Sequence, residues 1–124
     1  MIGIGPTAGR GRGVFAWTLI AEGALIEEAP VVVLPAEQVE HVHRTVLDEY
    51  YFKWGPGWKE AAVLLGTCSL CNHSLEPNAV FLCHTEHMTI AFFALRDIVP
   101  GEEITINYNG DPSSKKPVCF PPPT

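Results

Sequence analysis

One spacing occurs twice in this chain, and it limits the fold more than any other feature. Ala16-x-x-x-Ile20-x-x-Gly23-x-x-Ile26 returns as Ala94-x-x-x-Ile98-x-x-Gly101-x-x-Ile104, at a constant offset of 78 residues. Strand-like segments frame each copy: Val14-Phe15-Ala16-Trp17 and 24–28 around the first, 88–95 and 103–108 around the second. A lone strand–turn–strand unit cannot bury its own apolar face, so two copies imply sheets packed on one another. The expected class is therefore mainly β (α+β), several small antiparallel sheets with one helix. Four matched positions also leave coincidence open as the origin of the echo.

The remaining segments fit around that unit. A length of 124 residues suits one domain. Glycine-rich residues 1–13 predict an extended arm or loop leading into a strand, and residues 31–34, past Pro30, read as a strand separate from 24–28. Val39, Val42, Val46, Leu47, Tyr50 and Tyr51 recur at helical spacing, which predicts a helix from about Ala36 to Tyr51, broken by Trp54-Gly55-Pro56-Gly57-Trp58. Residues 79–84 and 88–95 alternate as a β-hairpin. Residues 111–124 carry five of the eleven prolines and read as an extended tail. The division is thus an arm at 1–9, a domain at 10–110 and a tail at 111–124.

Composition narrows the partners. Eight Lys and Arg against fourteen Asp and Glu give a net charge of −6, which disfavours direct nucleic acid binding and suits a basic peptide, although mild acidity also serves solubility. No apolar run is long enough to span a membrane, and residues 1–6 lack the pattern of a signal peptide, so an intracellular protein is expected. Cys68, Cys71, Cys83 and Cys119 then read as free thiols, and Asn72-His73-Ser74 as a chance sequon.

Three clusters invite chemistry. Cys68-x-x-Cys71 lacks a second pair at metal spacing and a thioredoxin-like setting, so buried thiols are expected and no metal site is assigned. His41, His43, His84 and His87 read as surface residues. Asn72-His73-Ser74-Leu75-Glu76-Pro77-Asn78 crowds turn chemistry into seven residues after an apolar run and predicts a tight polar bend.

Taken together with Gly11-Arg12-Gly13-Val14-Phe15-Ala16 and Gly101-Glu102-Glu103-Ile104-Thr105-Ile106-Asn107-Tyr108, that bend resembles the motifs of SET-domain lysine methyltransferases, in their order and approximate spacing. The chain looks most like the minimal, stand-alone SET proteins of bacteria and large DNA viruses. The resemblance implies a fold with pseudoknot-like C-terminal threading, in which residues 72–78 lie against Tyr108. It implies methyl transfer from S-adenosylmethionine to a lysine of a basic peptide or histone-like protein. Tyr108 would be the catalytic tyrosine, with Tyr50 as a second and Tyr51 as its near rival. Gly11, Arg12, Gly13, Asn72, His73, Tyr108 and Phe120 would line the cofactor cleft. Ile106 stands where other members carry Phe or Tyr, so more than one methyl addition is expected. Cys119 alone follows Tyr108 among the cysteines, so residues 118–120 would close the site without metal. A catalytically inactive SET-like peptide-binding module is the alternative. Exposed sheet edges would permit a homodimer, and the location would be cytoplasmic in a prokaryote, or nuclear in a eukaryote or a virus's host.

Overall fold

In the computed structural model, which describes residues 1–115, the two copies of the repeated spacing clasp each other across a local pseudo-twofold axis. Ile20 and Ile98 sit on the axis and exchange backbone hydrogen bonds, Ile20 N to Ile98 O at 2.9 Å and Ile98 N to Ile20 O at 2.8 Å. Further out, Ala16 N donates to Glu102 O and Ala94 N to Ala24 O, both at 3.0 Å, and these pairs are related by the same offset. Gly101 N to Ala16 O at 2.7 Å and Gly23 N to Ala94 O at 2.8 Å complete the set. Gly23 and Gly101 both have positive φ, 81° and 89°, which a side chain would strain. The six apolar residues of the echo, Ala16, Ile20, Ile26, Ala94, Ile98 and Ile104, are all buried in the core.

Each copy lends its first strand to the second strand of the other. Strand β1 (Ile2–Pro6) and β2 (Arg12–Ala16) form a hairpin, and β3 (Leu25–Leu34) follows. After α1 (Ala36–Val42) come β4 (Tyr51–Trp54), β5 (Glu60–Leu64), β6 (Asn72–His73), β7 (Ala79–His84), β8 (Thr89–Ala94) and β9 (Glu103–Ile106). One sheet has the order β1-β2-β9-β6 and the other β4-β5-β3-β8-β7. The β6·β9 pair is parallel and the others antiparallel, so the expected small sheets are two, one of them mixed. In the five-stranded sheet, Phe52 of the edge strand β4 and Phe81 of the opposite edge strand β7 meet edge to face, ring centroids 5.1 Å apart. The two edges therefore converge without pairing.

Three segments differ from their sequence reading. Residues 2–6, expected as part of an arm or loop, form β1, because the rings of β2 and its neighbour cover the glycines. A Cβ on Gly3 would lie 2.1 Å from the Trp17 ring, and one on Gly5 3.2 Å from that of Phe15. The Pro30 break is absent: β3 runs through it, pairing β8 up to Pro30 and β5 from Val31 onward. Pro30 O accepts from Leu65 N at 3.0 Å, so the proline nitrogen faces the end of the β5 ladder, where its missing N–H costs no bond. The helix expected to reach Tyr51 stops at Val42. The Thr45 hydroxyl donates to Val42 O and accepts from Leu47 N, diverting the backbone into a short 3-10 turn over Val46–Glu49, and Tyr51 opens β4. No helix among the described residues is long and apolar enough to cross a membrane.

Candidate active site

β9 is short, and the bend at 72–78 supplies what its ladder lacks. Asn78, almost fully buried, donates through Nδ2 to Glu103 O at 2.8 Å and accepts from Thr105 N through Oδ1 at 2.9 Å. Ser74 N donates to Ile106 O at 2.9 Å. Polar bend and strand are thus locked by an amide side chain whose donor and acceptor match both backbone groups of a strand.

Beyond Ile106 the chain delivers Tyr108 onto residues 71–73. Its hydroxyl donates to Cys71 O at 2.6 Å, its backbone N–H to His73 Nδ1 at 3.0 Å, and its ring lies 5.2 Å from the imidazole. Burial, reinforced by Cys71, pushes the Tyr108 phenol well above its usual range, while Arg10 pulls it down less strongly. The phenol is a neutral hydrogen-bond donor across the physiological range. His73 must be unprotonated at Nδ1 to accept the bond, and burial followed by the charge of Arg10 lowers its affinity for a proton.

The glycine-rich turn between β1 and β2 reaches the same place. Asn72 Nδ2 donates to Arg12 O at 3.1 Å and to Glu103 Oε2 at 2.7 Å, and the Arg10 guanidinium donates to His73 O. Gly13 permits that approach, since a Cβ there would lie 2.5 Å from Glu103 Oε2 and 3.0 Å from Asn72 Nδ2. Gly11, at φ 66°, leaves open space where a side chain would stand. Arg12, Gly13, Asn72, His73 and Tyr108 are therefore brought to one junction, with Gly11 next to Arg12 on the turn; Phe120 and the expected cover at 118–120 lie outside the described residues.

Two cavities adjoin this junction. A cleft of about 860 Å³ runs past Tyr108 between β4 and β7, with Asp48, Glu49 and Asp111 among its lining residues. A smaller one of about 310 Å³ is lined by Arg12, Val46, Leu47, Val63, Leu64 and Leu70. Tyr50 and Ser69 line both. Tyr51 lines only the cleft, and its hydroxyl is engaged by His43 Nε2 at 2.7 Å. His43 is exposed, as expected, and makes this contact at the surface. Cys68 and Cys71 are buried, the thiol of Cys68 being kept protonated by the Cys71 thiol beside it and by burial. Glu27 caps their turn, accepting from Cys68 N at 2.9 Å.

Arg10 and Glu103 are members of the junction to which sequence reasoning gave no role, although Glu103 lies inside a quoted motif and Arg10 directly beside one.

The SET-domain family model matches residues 11–109, which includes every part of this junction except Arg10. The chain belongs to the SET-domain family of lysine methyltransferases. It is 37% identical over 106 residues to a Schizosaccharomyces pombe histone-lysine N-methyltransferase specific for lysine-37 of histone H3, covering 85% of this chain and 71% of that protein. A crystal structure of a candidate histone methyltransferase from Plasmodium falciparum superposes with a TM-score of 0.71 at 29% identity, covering 86% of this SET protein and 91% of the other chain. A Neurospora SET-domain histone lysine methyltransferase shares the fold, with TM-score 0.71, 22% identity, and coverage of 96% and 55% of the two chains.

Proposed function

We propose that this SET-domain protein methylates a lysine in a basic, histone-like segment, with S-adenosylmethionine as donor and the Tyr108 junction as its catalytic centre. The observation that carries the reading is that Tyr50 lines both cavities, one beside the glycine-rich turn and the other an acidic cleft at Tyr108. The cofactor supplies an electrophilic methyl on a sulfonium. Gly11, Arg12, Gly13, Asn72 and the backbone of His73 would hold it: the glycines allow close approach, and the Arg10 guanidinium adds positive charge suited to its carboxylate.

The chain's own task is to present an amine. Asp48, Glu49 and Asp111 draw a cationic side chain into the cleft, with Asp111 kept ionised by Ser113 N–H and hydroxyl bonds. Free lysine has a pKa of about 10.4, and desolvation among Tyr50, Phe52 and Tyr108 lowers it toward the neutral nucleophile. Tyr108, fixed at both hydroxyl and backbone, sets the position of the amine. The converging edges of β4 and β7 offer backbone groups to an extended peptide. A histone tail as substrate places the protein where histones are.

The test is transfer of labelled methyl from S-adenosylmethionine to a panel of basic proteins, beside calorimetric cofactor binding. Tyr108→Phe is expected to lower transfer on the order of a hundredfold while the cofactor still binds. No transfer to any protein together with no cofactor binding sinks the reading, and undiminished transfer by the variant sinks the role of Tyr108.

A further inference from the structure

Trp58 lines the rim of the cleft. It is more than half exposed, at 55%, and its backbone φ of 57° lies in the left-handed region that an aromatic residue avoids. The loop after β4 carries it over the cleft rim until its ring faces Gly110, where an added Cβ would lie 3.3 Å away, two residues past Tyr108. Its indole is already recognising a cation: Lys53 Nζ stands 5.6 Å from the ring centroid. Among the described residues lining the cleft, Lys53 is the one Lys or Arg, against the three carboxylates of Asp48, Glu49 and Asp111.

We infer that the exposed face of Trp58 is a cation subsite for a basic residue flanking the target lysine, and that Lys53 occupies it until substrate arrives. The inference rests on the methyl-transfer reading of the cleft and assigns its substrate class more narrowly. Strained exposed aromatics are a signature of recognition sites, because packing does not reward them. The incoming group is best a guanidinium, whose planar and weakly hydrated surface stacks on indole better than an ammonium does. An arginine therefore displaces Lys53, and the released ammonium moves into water at little cost because Lys53 is an exposed residue.

The experiment uses peptides with one central lysine and an arginine walked through each flanking position, each paired with a peptide carrying neutral citrulline instead. Binding is measured by calorimetry and methyl transfer in parallel. In one register the arginine peptide is expected to bind the wild-type protein about fivefold more tightly than its citrulline twin. Trp58→Ala removes that preference and Trp58→Phe keeps part of it, with thermal unfolding confirming that both variants fold. Lys53→Gln, by removing the competitor, tightens the arginine peptide more than the citrulline peptide. No preference in any register, or a preference that survives Trp58→Ala, overturns the subsite. Weaker arginine binding by Lys53→Gln overturns the displacement. Arginine preference without methyl transfer leaves the subsite standing and counts against the enzymatic reading; transfer without preference does the reverse.

Discussion

The two copies of the strand–turn–strand unit begin alike and end differently. In the first, β3 continues for ten residues, with β8 and then β5 satisfying it through backbone ladders. In the second, β9 lasts four residues, and beyond its pairing with β2 its polar groups go to a two-residue parallel strand and to the side chain of Asn78. The symmetry also breaks at a bulge. Phe15 pairs Glu103 just as Phe93 pairs Leu25, but the next pair in the first copy skips Ile26 and joins Phe92 to Glu27. That slip accompanies the turning of the Glu27 carboxylate onto the Thr67–Leu70 turn that leads to Cys71. The comparison teaches where a site is built: the copy closed by backbone is scaffold, and the copy closed by side chains fixes polar groups in place, ready for use.

The strongest way to test the shared part is at the axis. Ile20→Ala and Ile98→Ala should each cost about 3 kcal/mol in urea unfolding, and the double variant less than the sum, because the two residues meet. A large difference between the single variants would break the equivalence of the copies. The next effect belongs to the second copy alone. Asn78→Ala strands a donor and an acceptor of β9 and should cost about 2 kcal/mol, with methyl transfer falling by more than stability explains. A variant with lost stability and full activity would show that this clamp does not position Tyr108.

Smaller effects come from the turns and from protonation. Gly23→Ala and Gly101→Ala meet no atoms, so each should cost only the left-handed strain of about 1 kcal/mol, measured by the same unfolding curves. Unequal losses would show that one turn carries a further duty. His73, hydrogen-bonded to the Tyr108 backbone, contributes a pH dependence of its own. Its folded-state pKa is depressed, so as pH falls through about 6.5 the unfolded chain takes up the proton first and stability drops toward the folded value. His73→Asn retains an acceptor without titrating, so its unfolding midpoint should fall less steeply with acidification. Parallel profiles would remove His73 from this role.

The echo and the three motifs were legible because they are short and local, and the junction of Asn72, His73 and Tyr108 forms as their family resemblance implies. What misled was periodicity without partners. Val46 and Leu47 continue the helical spacing yet remain exposed, so no burial holds them in a helix against the capping hydroxyl of Thr45. Strand β1 was hidden because its glycines are stabilised by rings from elsewhere, which the strand's own sequence does not reveal. Arg10 lies beside a quoted motif, but its bond to His73 spans 63 positions and no local pattern announces it.

The double hold on Tyr108 also sets a timetable. Its partners Cys71 and His73 precede it by 37 and 35 residues, and β2, which flanks β9, lies almost at the other end of the described chain. On a ribosome, β2 and β3 emerge long before their partners β9 and β8, and Tyr108 arrives among the last of the described segments. Closing such distant contacts is slow. With the role proposed for Tyr108, a nascent chain gains its centre only once residue 108 has been made, so synthesis interrupted earlier yields inert fragments rather than stray methylating activity.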